Sequence, residues 1–162
     1  MVAPLALLLG LVLTACLGAC DSGAPEVTPQ PIPGTSAHPR EVNLIAREYS
    51  FSPPVLDLIP GETILLHVVN AGLEVHEAII GDATAQDAWE VSEAAVAGAP
   101  PGPTPVVSVP PGIHALRIVV QTGERVDTTW TVPPSVTGFM VGCHIPGHWA
   151  KGMQVPVRSA SP

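Results

Sequence analysis

The stretch "TILLHVVNAGLEVHEAIIG", Thr63 to Gly81, decides the fold class. Its first eight residues are β-branched or aliphatic on both faces, as expected of a strand buried on two sides. "NAGL" then supplies a turn, and "EVHEAIIG" resumes the extended pattern. The second run reads as the start of an antiparallel strand. The same grammar recurs on both sides. "VNLIAREYSF" (Val42 to Phe51) partly alternates, and "PPVLDLIPGE" contains a short strand that ends at Pro60 and Gly61. Later come "TPVVSV", "HALRIVVQ", "DTTWTV", "GFMVGCH" and "MQVPVR". About eight short strands between Pro- and Gly-rich turns predict an all-β, two-sheet Greek-key sandwich. The 20 prolines and 15 glycines of the 162-residue chain fit that reading.

One segment departs from it. "DATAQDAWEVSEAAVAG" (Asp82 to Gly98) sets Ala85, Trp89, Ser92 and Val96 at helical spacing, with Thr84 as candidate N-cap and Gly98 as a stop. "APPGPTP" forbids continuation. The expectation is one short helix across an edge or end of the sandwich, in an insertion spanning 82–105.

The chain ends set the context. Residues 1–20, "MVAPLALLLGLVLTACLGAC", carry no charged side chain and end in small residues before a cysteine, as an export signal does. "LTAC" and "LGAC" resemble bacterial lipoprotein cleavage boxes. That resemblance implies a lipidated N-terminal cysteine, Cys20 (alternatively Cys16), and a domain anchored to the membrane outside the cytoplasm. An uncleaved spanning helix is the other reading, since about twenty apolar residues suffice to cross a bilayer. Residues 21–40 are Pro-rich with little to bury and read as a flexible tether, leaving 41–158 as the folded domain. The net charge of −8 makes nucleic acid an unsuitable partner.

The chemistry concentrates in "CHIPGHWAKGM", Cys143 to Met153. Cys143 has no disulfide partner in its own domain, and an unpaired thiol in an exported chain needs a reason. His148 and Met153 follow at fixed intervals on a tight turn that Pro146, Gly147 and Gly152 permit. A thiolate, an imidazole and a thioether are soft or borderline ligands that suit copper rather than calcium or magnesium. A trigonal copper site wants a second imidazole, for which the chain offers His67, His76 and His114.

These stretches resemble the cupredoxin family of blue type 1 copper proteins. "YSFSPPVLDLIPGETILLHVVNAGLEVHEAII" is similar to the family's N-terminal half, "GFMVGCHIPGHWAKGM" to its copper loop, and "MQVPV" to its last strand. The loop spacing is closest to rusticyanin, within a family that includes plastocyanin and azurin. The resemblance implies one copper ion held by His76, Cys143, His148 and Met153, and an electron carrier, not an enzyme. It also implies roles for neighbours: backbone amides near Cys143 and at Asn70 or Val75 bonding the sulfur or bracing the loops, Glu77 assisting, and a His148 ring edge open at an apolar rim as the electron port. Pro146 and Trp149, with Ile145, would flank that port and meet a redox partner such as a c-type cytochrome or terminal oxidase. Acidic residues of the insertion, Asp82, Asp87, Glu90 and Glu93, would either steer a basic partner or form a solvated helix face. His144 reads as a surface residue or a neighbour supporting the ligands. A copper carrier or store delivering metal to an oxidase is the alternative function.

Overall fold

The computed structural model describes residues 30–97 and 107–162; the signal, Cys16, Cys20, Gly98 and most of the Pro-rich insertion lie outside them. Among these residues nine strands form two sheets. One sheet contains β1 (Arg40–Arg47), β2 (Ser50–Ser52), β4 (Thr63–Asn70) and β7 (Arg125–Thr131), in the order β2-β1-β4-β7. The other contains β3 (Leu56–Leu58), β5 (His76–Gly81), β6 (Leu116–Val120), β8 (Met140–Gly142) and β9 (Gln154–Ser159), in the order β3-β9-β8-β5-β6. β1 runs parallel to β4 and β3 parallel to β9, while every other pairing is antiparallel. This is the expected Greek-key sandwich.

The core follows from strand alternation. Val42, Leu44 and Ala46 of β1 and Ile64, Leu66 and Val68 of β4 point inward, to meet Ala78, Ile80, Ile118, Val120, Val141 and Val155 of the facing sheet. Each large aliphatic side chain so buried contributes about 1.5–3 kcal/mol. Outward on β4, His67 is nonetheless buried, bonding Asp127 Oδ1 at 2.7 Å through Nδ1. It therefore lies on the face away from the core.

The helix α1 (Ala83–Val96) forms where the pattern requires one, but three details differ from expectation. Asp82, not Thr84, is the N-cap, accepting from the Ala85 amide at 2.9 Å; a carboxylate one residue before the first turn reaches that donor directly. The helix lies against β5 and β8 inside the five-stranded sheet rather than across an edge, because Gln86 donates to the backbone carbonyls of Ile79, Gly81 and Met140. Its buried residues are Ala85, Gln86, Trp89 and Glu93, so Ser92 and Val96 do not define the packed face. β5, covered by the core on one side and α1 on the other, is buried at all six positions.

Two other stretches change. Val107 to Val109 form no strand, and β6 begins at Leu116, leaving His114 exposed before it. The end of the predicted tether is bonded to the sandwich: the Thr63 amide donates to Gly34 O at 2.9 Å. Arg40, in β1, pairs with the fully buried Glu62 carboxylate.

Candidate metal centre

His76 opens β5, and alternation sends its imidazole inward with Ala78 and Ile80 while Glu77 and Ile79 face α1. Cys143 directly follows β8, whose register with β5 (Ile79 opposite Gly142) brings the thiol beside the start of β5. The loop after it is closed by its own backbone. The Cys143 amide donates to Met153 O at 3.1 Å, His148 N to Ile145 O at 2.9 Å, and Met153 N to His148 O at 3.2 Å. Gly147 and Gly152 have φ of 89° and 87°, values that side-chain-bearing residues rarely adopt. A short 3₁₀ turn, Trp149–Lys151, lies between them.

The result is convergence. Ligand atoms of His76, Cys143 and His148 all lie within 4.8 Å of one another. All three residues are buried, and Met153 is fully buried in the hydrophobic core cluster that also holds Cys143. Of the three histidines that sequence left open, only His76 joins this group. His67 is held by Asp127 on the outer face of the other sheet, and His114 lines a groove with Asp82, Trp130 and Phe139.

The fit to a metal rests on buried ring nitrogens left without a hydrogen bond. Among the described residues neither His76 ring nitrogen has a hydrogen-bond partner although both are buried, a state that costs about 1–3 kcal/mol per group unless a ligand fills it. Burial, followed by repulsion from His148, lowers the His76 pKa, so it offers a neutral imidazole. Cys143 is the one free cysteine among the described residues. Burial pushes its thiol up to about 12, against the opposing pull of the Glu77 and Ile145 backbone amides. A metal must therefore displace the thiol proton. The Cys143 sulfur stands 3.3 Å from His148 Nδ1 and accepts from the Glu77 amide at 3.5 Å.

The amide that donates to the sulfur is thus that of Glu77, not of Asn70 or Val75. Asn70 instead staples the turn before β5. Its Nδ2 donates to Glu74 O at 2.7 Å and Val120 O at 3.1 Å, and its Oδ1 accepts from the Gly72 amide. The Glu77 side chain turns away from the cluster, accepts from the His144 amide at 3.1 Å, and pairs with Arg117, which also binds Glu93. Burial raises its pKa to about 7 in spite of Arg117.

His144 points opposite to Cys143, as strand alternation predicts, but it is not at the surface. Its Nδ1 meets Glu90 at 2.8 Å, its Nε2 meets Gln86 Oε1 at 2.7 Å, and its ring stacks on Trp149 with centroids 4.6 Å apart. Two of the insertion's acids, Glu90 and Glu93, are consequently engaged with the ligand loop and β6 rather than forming a solvated face. Composition hid this, because a histidine next to a cysteine carries no sign of a helix 54 residues earlier in the chain reaching it.

The His148 edge also differs from expectation. His148 is only 4 % exposed. Its Nε2 lies 2.9 Å from Glu74 Oε2 and Tyr49 packs edge-on to its ring. An imidazole N–H taken from water needs an acceptor, and Glu74 supplies it. Pro146 and Gly147 are exposed beside it, with Ile145 and Trp149 half-buried.

Solved structures share this architecture. Auracyanin B aligns over 80 % of this chain and 98 % of its own, with a TM-score of 0.60 and 22 % identity. The fold is the cupredoxin fold. An azurin from the obligate methylotroph Methylomonas sp. strain J covers 75 % of the chain and 98 % of its own, at TM-score 0.58 and 12 % identity. Auracyanin A, a "blue" copper protein from the green thermophilic photosynthetic bacterium Chloroflexus aurantiacus, covers 74 % and 99 %, at 0.53 and 22 %. No protein-family profile and no curated protein matches the sequence. On the cupredoxin fold of this chain, the convergent cluster sits where β5 begins and β8 ends.

Proposed function

We propose that this protein is an extracytoplasmic electron carrier built around one type 1 copper ion. The observation that carries the reading is the buried convergence of His76, Cys143 and His148, with neither His76 nitrogen hydrogen-bonded among the described residues. Two imidazoles and a thiolate, with Met153 as a weak fourth ligand, are the donor set of trigonal blue-copper sites. Copper bound there would supply one-electron Cu(II)/Cu(I) chemistry. The chain's own contribution is rigidity. Asn70 ties down the turn before His76, the Met153 carbonyl and the Cys143 amide close the ligand loop, and Gln86, Glu90 and Glu77 hold His144 from the far side. A site held so firmly exchanges electrons with little reorganisation. The domain is tethered to the membrane through a lipid on Cys20, or on Cys16, and exchanges electrons with a soluble or membrane-bound redox protein such as a c-type cytochrome or terminal oxidase. Pro146 and Trp149 flank the route past His148.

The test is an absorption and electron paramagnetic resonance spectrum of residues 30–162 after one equivalent of Cu(II). An intense visible thiolate-to-copper band with small copper hyperfine splitting, lost in Cys143→Ser, is the expected result. Reduction to colourless Cu(I) that stays bound, or a weak tetragonal Cu(II) signal, would refute electron transfer and favour copper delivery or storage.

A further inference from the structure

The outer edges of both histidines face carboxylates. His148 turns Nδ1 toward Cys143 and leaves Nε2 on Glu74 Oε2 at 2.9 Å. His76 Nε2 lies 3.4 Å from Glu48 Oε1. Neither acid is loosely placed. Glu48 accepts from the backbone amides of Leu73 and Glu74, so the turn that precedes His76 holds it. Glu74 is clamped through its second oxygen by the Tyr49 hydroxyl at 3.0 Å. The nearby cation, Lys151, sits over the Tyr49 ring at 3.7 Å, and among the described residues neither Glu48 nor Glu74 pairs with a lysine or arginine.

A carboxylate accepting from the far nitrogen of a ligating imidazole makes that imidazole the more basic donor. Its negative charge also favours whichever metal state carries more positive charge, and little cationic charge offsets it here. Resting on the copper reading above, we propose that Glu74, and more weakly Glu48, are positioning residues that stabilise Cu(II) over Cu(I) and make the reduced protein the stronger reductant. The couple concerned is the transfer of one electron from Cu(I) to an oxidised redox protein, with no bond made or broken in the chain. Glu74 also holds the His148 ring in the orientation that presents Nδ1 to the sulfur. Glu74 ranks above Glu48 because its contact is a hydrogen bond, whereas the Glu48 approach leaves His76 Nε2 without one.

The experiment is voltammetry of the copper-loaded full-length chain, with Glu74→Gln, Glu48→Gln, Glu74→Asp and a control, Asp87→Asn on the exposed side of α1. Glu74→Gln keeps an acceptor and removes the charge. It should shift the ratio of Cu(II) to Cu(I) affinity about tenfold toward Cu(I), a rise of about 59 mV for one electron. Glu48→Gln should move it the same way by less, and Glu74→Asp and Asp87→Asn by less than twofold. In the metal-free chain, the His148 Nε2 proton should be protected from exchange and lose that protection in Glu74→Ala. A blue Glu74→Gln protein with an unchanged or lowered potential would overturn this inference and leave the copper reading standing. A wild-type chain with no blue band would overturn both.

Discussion

Gly142→Ala tests whether the insertion helix truly braces the ligand loop. Gly142 is the last residue of β8, one before Cys143, and its backbone is not in the left-handed region. Alanine there would ordinarily stabilise the chain by about 0.4–1 kcal/mol, by restricting the unfolded state. The structure predicts the opposite. A methyl group at this position would run into Gln86 Oε1, lie 2.6 Å from Trp149 Cζ3 and 3.0 Å from His144 Nε2. None of the three can swing freely. Gln86 is fixed by three backbone carbonyls, and the His144 and Trp149 rings are stacked. Overpacking a filled site costs about 1–3 kcal/mol, and each Gln86 or His144 hydrogen bond lost adds about 1 kcal/mol. A net destabilisation of about 3 kcal/mol follows, read from urea unfolding of the metal-free protein at constant slope. In the copper-loaded protein the visible band should shift as the loop moves. Combining Gly142→Ala with Gln86→Ala should recover at least about 1 kcal/mol, because the clash partner is gone. A neutral or stabilising Gly142→Ala, or strict additivity with Gln86→Ala, would refute the brace.

Three further outcomes are expected. Arg40→Ala leaves the Glu62 carboxylate fully buried with only backbone donors and should cost about 3 kcal/mol. The same pair sets a pH dependence. Burial alone would raise the Glu62 pKa, but Arg40 and the Ile59 and Gly34 amides outweigh it and hold it below its ordinary 4.5. The folded chain therefore binds fewer protons than the unfolded chain, and this stability is present above pH 4.5 and lost as pH falls through the lowered value. Chemical denaturation between pH 7 and 3 should show that loss in the wild type, and a flatter acid limb in Arg40→Ala. Removing copper should lower the melting temperature: at a free concentration a thousandfold above the dissociation constant, binding contributes about 4 kcal/mol, or roughly 15 °C for a domain of this size. Equal melting of loaded and metal-free protein would contradict a site built from these ligands.

Much of the architecture was legible because it rests on short-range rules. Two-sided β-branched runs such as "TILLHVVN" between Pro and Gly clusters read as buried strands joined by turns. The loop from Cys143 to Met153 was readable for the same reason, since its donors lie close in sequence and three of its positions are small or rigid. The choice among His67, His76 and His114 was not readable from pattern alone. Each sits in or beside a strand, and which face meets the thiol depends on the register between β5 and β8. The helix was visible by its period, yet its N-cap was displaced to Asp82 and its buried face included Gln86 and Glu93, polar residues that periodicity counts as exposed.

By itself the sequence determined the strand content, the acidic charge and the soft-ligand loop, since alternation, composition and donor chemistry are local properties. Tertiary structure alone decided three things. It brought His76 to Cys143 across the sheet, laid α1 over the face opposite the core so that Gln86 and Glu90 grip His144, and set Glu74 against the outer nitrogen of His148. All are pairings between residues more than fifty positions apart. Contacts of that range exist only once two sheets have packed, because burial is what makes a polar group seek the one partner within reach.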